Sequence, residues 1–427
     1  MKKTNYGSET NVNEVVDKPI VLGLFKNVQM QGAQKIESRD VYGDTLSGAD
    51  CSATQQMSVF QQSHSSPLII PLFIMNSGCP HHCIFCNQKI TAGNFPPKIT
   101  KDFFDAEVDS YLAWNKDKSR DVEIAFYGGS FTGVDPAYQE ELLSWAYSFI
   151  QKELVNSIRI STRPDLISED KLPLLKKYQV NTVEIGAQSF VDDVLQFAQR
   201  GHDSVSIVKA MTILKENGFK TGLHLMAGLP KDTKEGFIYS LNETIKLRPD
   251  TVRMHPVIIF KDTTLAKEFR EGRYKPLELS DAVEMCRIAW EKLSIEGIRV
   301  IRMGVQSTPE MEKAGAILAG PVHQSFGSLV LASVFYNHTI KYLEKISRDA
   351  KDLHFKLSKR DMSNFRGLNN ANIKAIKKLY PRANLIVESI PGQPRGTISI
   401  AADSGESFDL KIPGIIRFDI LLWQLKI

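Results

Sequence analysis

Cysteine and long apolar runs are both scarce in this sequence. Five of the 427 residues are cysteine, which is too few for the disulfide framework of a small secreted protein. No segment approaches the roughly 18–20 consecutive apolar residues that a membrane-spanning helix needs. The N-terminus also lacks the form of a secretory signal. We therefore expect a soluble, cytoplasmic protein that does not enter a membrane.

Residue patterns divide the chain into three regions. Residues 1–66 are rich in Ser, Asn, Gln, Thr and Gly without sustained periodicity, which predicts a poorly ordered N-terminal extension. Residues 67–317 alternate short apolar segments with amphipathic helical stretches, a pattern typical of parallel βα units. Residues 318–427 begin with a long amphipathic helix and continue with mixed strand and helix patterns. The sequence predicts an α/β protein, in which a partial (β/α)6 barrel precedes a small C-terminal α+β domain.

The carboxyl ends of the predicted strands are where a ligand should bind. The six strands are predicted at Leu68–Met75, Val122–Tyr127, Ser157–Ser161, Thr182–Ala187, Lys220–Met226 and Thr251–Phe260. Ligands of parallel α/β folds gather at the carboxyl ends of the strands. Polar and glycine-rich motifs directly after these strands are therefore candidate site residues.

Three of the five cysteines, Cys79, Cys83 and Cys86, lie directly after the first predicted strand. A loop this short can wrap three thiolates around one iron-sulfur cluster. Three thiolates leave one iron of a four-iron cluster without a protein ligand, so an external molecule can bind there. Zinc is the main alternative, with His81 or His82 as the fourth ligand. The spacing alone is compatible with either metal centre.

The cysteine motif, with Phe85 before its last cysteine, resembles that of the radical S-adenosylmethionine (SAM) superfamily. Within it, the sequence is most similar to the elongator catalytic-subunit-like branch, and the resemblance runs from about Pro67 to Gln306. The further segments that carry the resemblance are Phe126–Gly133, Ser161–Asp165, Val183–Ser189, Arg200–His202, His224–Pro230 and Arg270–Lys275.

This resemblance implies two cofactors, a [4Fe–4S] cluster and SAM, and a separate electron donor that reduces the cluster. The reduced cluster would cleave SAM to a 5′-deoxyadenosyl radical that abstracts hydrogen from a substrate. The implied cofactor-binding residues are Phe85, Gly128, Gly129, Ser130, Thr162, Arg163, Gln188 and Arg200. By resemblance, Gln188 and Arg200 would hydrogen-bond the ribose and the carboxylate of SAM. Taken singly, a structural glutamine and a surface arginine are the alternatives.

Several positions depart from the family pattern. Ser161 replaces a commonly acidic residue, and His255 replaces a commonly aromatic one. Porphyrinogen-oxidising relatives have an acidic residue where this chain has His224. We find no acetyl-CoA motif and too little chain for the acetyltransferase domain of the elongator enzymes, so we do not expect the acetyl-dependent reaction.

The C-terminal region is strongly basic. Residues 341–382 contain twelve Lys or Arg and four Asp or Glu, a local charge of +8 within a chain of net charge +4. Met362–Leu379 resembles a KH module, in which a glycine-rich loop between two helices clamps a nucleic-acid backbone. Asn370 replaces the last glycine of that loop, and Asn tolerates a left-handed backbone better than most residues. These features predict an RNA partner, with a solvated basic face as the alternative.

Three functions follow from these observations. The first is a radical SAM enzyme that modifies RNA, with tRNA as the expected substrate. The second is radical chemistry on a small molecule or tetrapyrrole. The third is a non-enzymatic, metal-stabilised RNA-binding protein. RNA binding that depends on Lys374, Lys377 and Lys378 separates the first from the second, and SAM cleavage separates both from the third.

Overall fold

A computed structural model describes residues 67–415, apart from residues 76–77, 94 and 306. The predicted extension at residues 1–66 lies outside the described residues, as do residues 416–427 of the predicted C-terminal domain. No helix in the described part is long and apolar enough to cross a bilayer.

A curled sheet of seven parallel strands forms the larger part of the structure. Its strands are β1 (Leu68–Phe73), β2 (Val122–Tyr127), β3 (Ser157–Thr162), β4 (Val180–Gln188), β5 (Lys220–Ala227), β6 (Thr251–Pro256) and β8 (Arg299–Met303). The strands are adjacent in that order. Parallel neighbours need long crossover connections, and helices supply them here.

The helices of this part cover the outer face of the sheet or follow its strands. They are α1 (Gln88–Thr91), α2 (Lys101–Trp114), α3 (Pro136–Gln151), α4 (Leu172–Lys177), α5 (Asp192–Phe197), α6 (Ser204–Glu216), α7 (Lys234–Leu247), α8 (Thr264–Arg270), α9 (Leu279–Ile295), α10 (Pro309–Glu312) and α11 (Phe326–Leu343). Side-chain caps define where several of them begin. Asp135 accepts a hydrogen bond from the Tyr138 amide (3.1 Å), and Asp203 accepts one from the Ser206 amide (2.8 Å), which satisfies free amides of α3 and α6.

The two faces of the sheet differ in chemistry because side chains alternate along each strand. In β1, Leu68, Ile70 and Leu72 are buried in the apolar core beneath the helices. The residues that alternate with them, Ile69, Pro71 and Phe73, line the cavity inside the curl of the sheet. The sheet therefore holds an apolar layer outside and a ligand-sized space inside.

The sixth predicted strand was too long, and a seventh was missed. Thr251–Phe260 is interrupted after Pro256, which has no amide hydrogen to donate to a ladder. Ile259–Phe260 form a separate strand, β7, which pairs antiparallel with β9 (Ile317–Ala319). The seventh strand, β8, extends the sheet beside β6.

A second sheet of four strands follows α11. Its strands are β10 (Asp352–Leu357), β11 (Asn384–Ser389), β12 (Thr397–Ala402) and β13 (Ser407–Lys411), and the helices α12 (Met362–Arg366) and α13 (Ala371–Leu379) connect β10 to β11. β10 lies between β11, to which it is parallel, and β12, to which it is antiparallel. Phe355 and Phe365 pack in its core with ring centroids 5.1 Å apart. The predicted domain boundary at residues 317/318 stays a prediction.

The loop between α12 and α13 has the backbone expected from its sequence. Gly367, Asn369 and Asn370 all have positive φ angles, of 70°, 51° and 60°. The asparagine that replaces the last glycine of the KH-like loop is thus in the left-handed region, as predicted. The order strand, helix, loop, helix, strand also matches the expectation for this segment.

Candidate active site

Two glycines bring the cysteine loop against the carboxyl end of β2. Gly78 has a φ of +71°, and a Cβ there would lie 2.2 Å from the carbonyl oxygen of Ser130. A Cβ on Gly133 would lie 2.3 Å from the carbonyl oxygen of Gly78. Only glycine permits this contact between the two backbones. The sulfur of Cys79 consequently lies 3.3 Å from the Ser130 hydroxyl.

Arg200 connects the cysteine loop to the end of β4. Its Nη1 donates a hydrogen bond to the Cys83 sulfur (3.0 Å), and its Nη2 donates to the Gly186 carbonyl (2.6 Å). Arg163 donates to the Arg200 carbonyl from the end of β3. Arg200 therefore links a predicted cluster ligand to the carboxyl end of β4 through two hydrogen bonds.

The thiols of Cys79 and Cys83 lie near enough to Cys86 to affect its pKa. Desolvation, followed by the negative charges of Cys83 and Cys79, raises the pKa of Cys86 to about 12. Among the described residues, no three His, Cys, Asp or Glu side chains are arranged as a preformed metal site, so the role of these thiols in holding a cluster stays a prediction.

All eleven predicted site residues line one cavity of about 710 Å³. They are Cys79, Cys83, Cys86, Phe85, Gly128, Gly129, Ser130, Thr162, Arg163, Gln188 and Arg200. They come from the loops or ends of β1 to β4, which meet at one edge of the sheet. The structure therefore brings the predicted residues together, while the role of each stays a prediction.

Two buried polar atoms at this edge of the sheet are available to hydrogen-bond a ligand. Gln188 Oε1 and Arg163 Nη1 have no hydrogen-bond partner among the described residues, although the other nitrogens of Arg163 bond the Asp165 carboxylate at 3.0 and 3.1 Å. Leaving a buried polar atom unpaired costs about 1–3 kcal/mol. Gly128, with a φ of +93°, leaves its backbone open to the same space. A polar cofactor such as SAM fits this donor and acceptor set.

A buried ion network beneath the predicted residues was not foreseen. Arg159 bonds Glu123 (2.7 Å) and Glu184, and Arg253 bonds Glu184 (2.9 Å) and the Tyr127 hydroxyl. The network joins β2, β3, β4 and β6 and includes walls of the same cavity. Charged residues at inward positions of otherwise apolar strands were the signal that could have identified it.

Two histidines on neighbouring strands also line the cavity. The rings of His224 and His255 meet edge to face with centroids 4.3 Å apart. The Nε2 atom of each is buried without a partner among the described residues. Burial, followed by the nearby Arg253 charge, lowers the pKa of His224 to about 4. Burial also lowers the pKa of His255 well below its usual value. Both imidazoles are neutral at physiological pH.

The lowered pKa of His224 predicts that the folded protein loses stability in acid. Between about pH 6.5 and pH 4, His224 takes up its proton only in the unfolded state, so the free energy of unfolding falls as the pH falls. From about pH 6.5 to pH 5 the loss for His224 is about 2 kcal/mol. Urea unfolding at both pH values should show a smaller loss in His224→Phe than in the wild type. An equal loss in the two proteins would contradict the assignment.

Comparisons with known proteins agree with this geometry. The radical SAM superfamily is matched over residues 73–243, and the radical SAM C-terminal domain over residues 249–334. The chain therefore belongs to the radical SAM superfamily, whose enzymes use a [4Fe–4S] cluster and SAM. The predicted class, fold and cofactors are confirmed at this level.

More specific similarities point to elongator-like proteins. The chain is 26% identical over 231 residues to a tRNA uridine(34) acetyltransferase of Methanocaldococcus jannaschii, covering 45% of this chain and 43% of that protein. It is 27% identical over 184 residues to human Elongator complex protein 3, covering 38% and 34%. The chain thus aligns with less than half of either relative. The predicted resemblance to the elongator-like branch is confirmed.

Solved structures include the same kind of relative. An archaeal Elp3 from Methanocaldococcus infernus, lacking residues 1–46, aligns with a TM-score of 0.49 and 23% identity, covering 66% of this chain and 64% of that one. Coproporphyrinogen III oxidase of Escherichia coli aligns with a TM-score of 0.39 and 21% identity, covering 56% and 54%. The cytoplasmic location and the external electron donor stay predictions.

Proposed function

We propose that this radical SAM enzyme modifies RNA and that its substrate is a tRNA nucleoside. The observation that carries the proposal is the similarity to tRNA uridine(34) acetyltransferases over almost half of this chain. The strongly basic C-terminal region supports an RNA substrate independently. The aligned region is only part of those relatives, so the proposal concerns the substrate class and not their acetyl transfer.

The cavity has walls beyond those predicted to bind the cofactors. Cys79, Cys83 and Cys86 would hold the cluster, and Gln188 and Arg200 would hold SAM beside it. When bound, the cluster and SAM supply a carbon radical that abstracts hydrogen. The walls of the same cavity also include His224, Met226, Arg253 and His255, which belong to β5 and β6.

These residues of β5 and β6 would position the reacting group and exclude water. Met226 contributes an apolar wall, while the unpartnered Nε2 atoms of the neutral histidines can each donate or accept one hydrogen bond. An uncharged polar group such as a nucleobase edge would satisfy them. Holding that group close to the radical is the protein's main contribution to the rate.

The proposal is tested by asking whether RNA stimulates cofactor cleavage. The protein is purified and reconstituted without oxygen, reduced chemically, and given SAM with or without tRNA transcribed in vitro. We expect tRNA to raise 5′-deoxyadenosine formation about tenfold, which corresponds to roughly 1.4 kcal/mol of transition-state stabilisation. Mass spectrometry of the digested tRNA should then show a nucleoside of altered mass.

Two controls make the result interpretable. Heparin tests whether any polyanion stimulates cleavage, and a tetrapyrrole tests the small-molecule alternative. SAM cleavage that is unaffected by tRNA, with no nucleoside changed, would contradict the proposal. Stimulation by the tetrapyrrole alone would favour the second function instead.

A further inference from the structure

The twelve basic residues of residues 341–382 are exposed, and those on α13 and in the turn after it, Lys374, Lys377, Lys378 and Arg382, are here called the basic surface. All twelve side chains are solvent-exposed: Lys341, Lys345, Arg348, Lys351, Lys356, Lys359, Arg360, Arg366, Lys374, Lys377, Lys378 and Arg382. None of this charge is used to build the apolar core. An excess of cations on one small domain attracts an anionic partner and steers its association.

The acidic residues of the same segment do not balance this charge. Asp361 is completely buried, where it accepts hydrogen bonds from the Gly396 amide (2.7 Å) and from Arg395 (3.2 Å). Asp352 is partly buried, which leaves Glu344 and Asp349 as the exposed acids. The excess of positive charge at the surface is therefore larger than the sequence count of +8 indicates.

Helix α13 carries most of the basic surface. Lys377 and Lys378 follow Lys374 by three and four positions, so both lie next to it on the helix. Ile376 is the buried residue of this helix. Beyond its C-terminal end, Arg348 donates to the Leu379 carbonyl (3.2 Å) and lies over the Tyr380 ring at 4.7 Å.

Several hydrogen bonds fix this helix to the rest of the chain. Asn372 donates to the carbonyls of Ala332 (2.9 Å) and Phe365 (3.0 Å), and the Tyr380 hydroxyl donates to the Ile346 carbonyl (3.2 Å). Ala332 belongs to α11, so α13 is held against the helix that joins the two sheets. A fixed array of cations loses little conformational freedom when a rigid polyanion binds.

Residues 341–382 expose cations but no large aromatic side chain on which a base could stack. The large exposed apolar side chains in residues 341–382 are Leu368 and Leu379, and neither is aromatic. Sequence-specific recognition of single-stranded RNA uses bases stacked on aromatic rings. Lysine instead offers a point charge to phosphate. These side chains therefore suit the RNA backbone and not its bases.

We propose that the basic surface docks the RNA substrate through its phosphates, without reading sequence. This inference rests on the proposed function, because it assigns the RNA contact of that reaction to a domain outside the barrel. Contacts of this kind position a nucleic acid and carry no sequence information themselves. The residues that line the cavity would then select the nucleoside on their own.

The test compares two charge-matched variants of the full chain. In the first, Lys374, Lys378 and Arg382 are replaced by glutamine; Lys377 is kept because it donates to the Ala383 carbonyl. In the control, three exposed lysines of the barrel, Lys209, Lys220 and Lys234, are replaced by glutamine. Binding of fluorescent tRNA transcribed in vitro is measured at several salt concentrations.

We expect the first variant to bind tRNA about tenfold more weakly or worse, and the control to bind like the wild type. The slope of log K against log salt should fall by about 2–3 in the first variant, one for each lost phosphate contact. An unrelated RNA hairpin should be affected equally, since the contact reads no sequence. Circular dichroism and thermal unfolding verify that both variants fold.

The possible failures are distinguishable. Equal weakening in both variants, or an unchanged salt slope in the first, would overturn the docking surface. If tRNA still stimulates SAM cleavage in that case, the proposed function stands. A wild type that neither binds tRNA nor responds to it overturns both proposals.

Discussion

Cys83→Ala is expected to bind little iron and to form no 5′-deoxyadenosine above background. The thiol is one of three that face the cavity, and Arg200 donates to its sulfur at 3.0 Å. Two thiolates cannot hold a four-iron cluster as three do. Losing only a supporting residue of a metal site typically costs 10–100-fold, so we expect the loss of this ligand to exceed roughly a hundredfold.

Cys286→Ala is the matched control for this experiment. Cys286 is completely buried within α9, and burial raises the pKa of its thiol to about 12. The thiol is therefore protonated and inert, and its removal should leave iron content and SAM cleavage unchanged. Iron analysis, visible absorption and chromatography of 5′-deoxyadenosine provide the measurements. A Cys83→Ala protein that keeps its iron, or a wild type that binds zinc and cleaves no SAM, would contradict the assignment.

The site at the mouth of the barrel could be predicted because its residues follow strands. Cys79, Gly128 and Arg163 each come directly after an apolar segment of strand length. In a parallel sheet such segments end at one edge. The alternation of strands and helices therefore specified both the fold class and the meeting point of residues that are distant in sequence.

The interior of the barrel could not be predicted in the same way. Strand β8 contains Arg299 and Arg302, which face the cavity, so its hydrophobic pattern is weak and the strand was missed. Conversely, the apolar residues after Pro256 continue the pattern of β6 although the chain has turned. Hydrophobic periodicity detects burial against helices, and it fails where a strand faces a polar cavity.

The ion network beneath the site is the least predictable feature and has a large expected effect on stability. Glu184 accepts hydrogen bonds from Arg159 and from Arg253 (3.0 Å), which belong to β3 and β6. Burial alone would raise the pKa of Glu184, but the two guanidinium groups outweigh burial and hold the pKa below its usual value. The carboxylate is thus ionised, and together with Glu123 it balances the charges of Arg159 and Arg253, which would otherwise repel each other.

Glu184→Ala is therefore expected to lower the free energy of unfolding by about 3–5 kcal/mol, the usual cost of leaving a buried ion without its partner. Glu184→Gln should cost less, because the amide oxygen can still accept one hydrogen bond. The exposed pair of Lys246 with Glu243 (2.6 Å) provides a control, since Glu243→Ala should cost about 1 kcal/mol or less. Urea unfolding at neutral pH measures all three variants.

A double variant tests whether Glu184 and Arg253 are coupled. In Glu184→Ala with Arg253→Ala, one unpaired cation is removed together with the carboxylate, so the loss of unfolding free energy should be smaller than the sum of the two single losses. Additive losses would show that the two side chains are not coupled, and that the network does not connect β4 to β6.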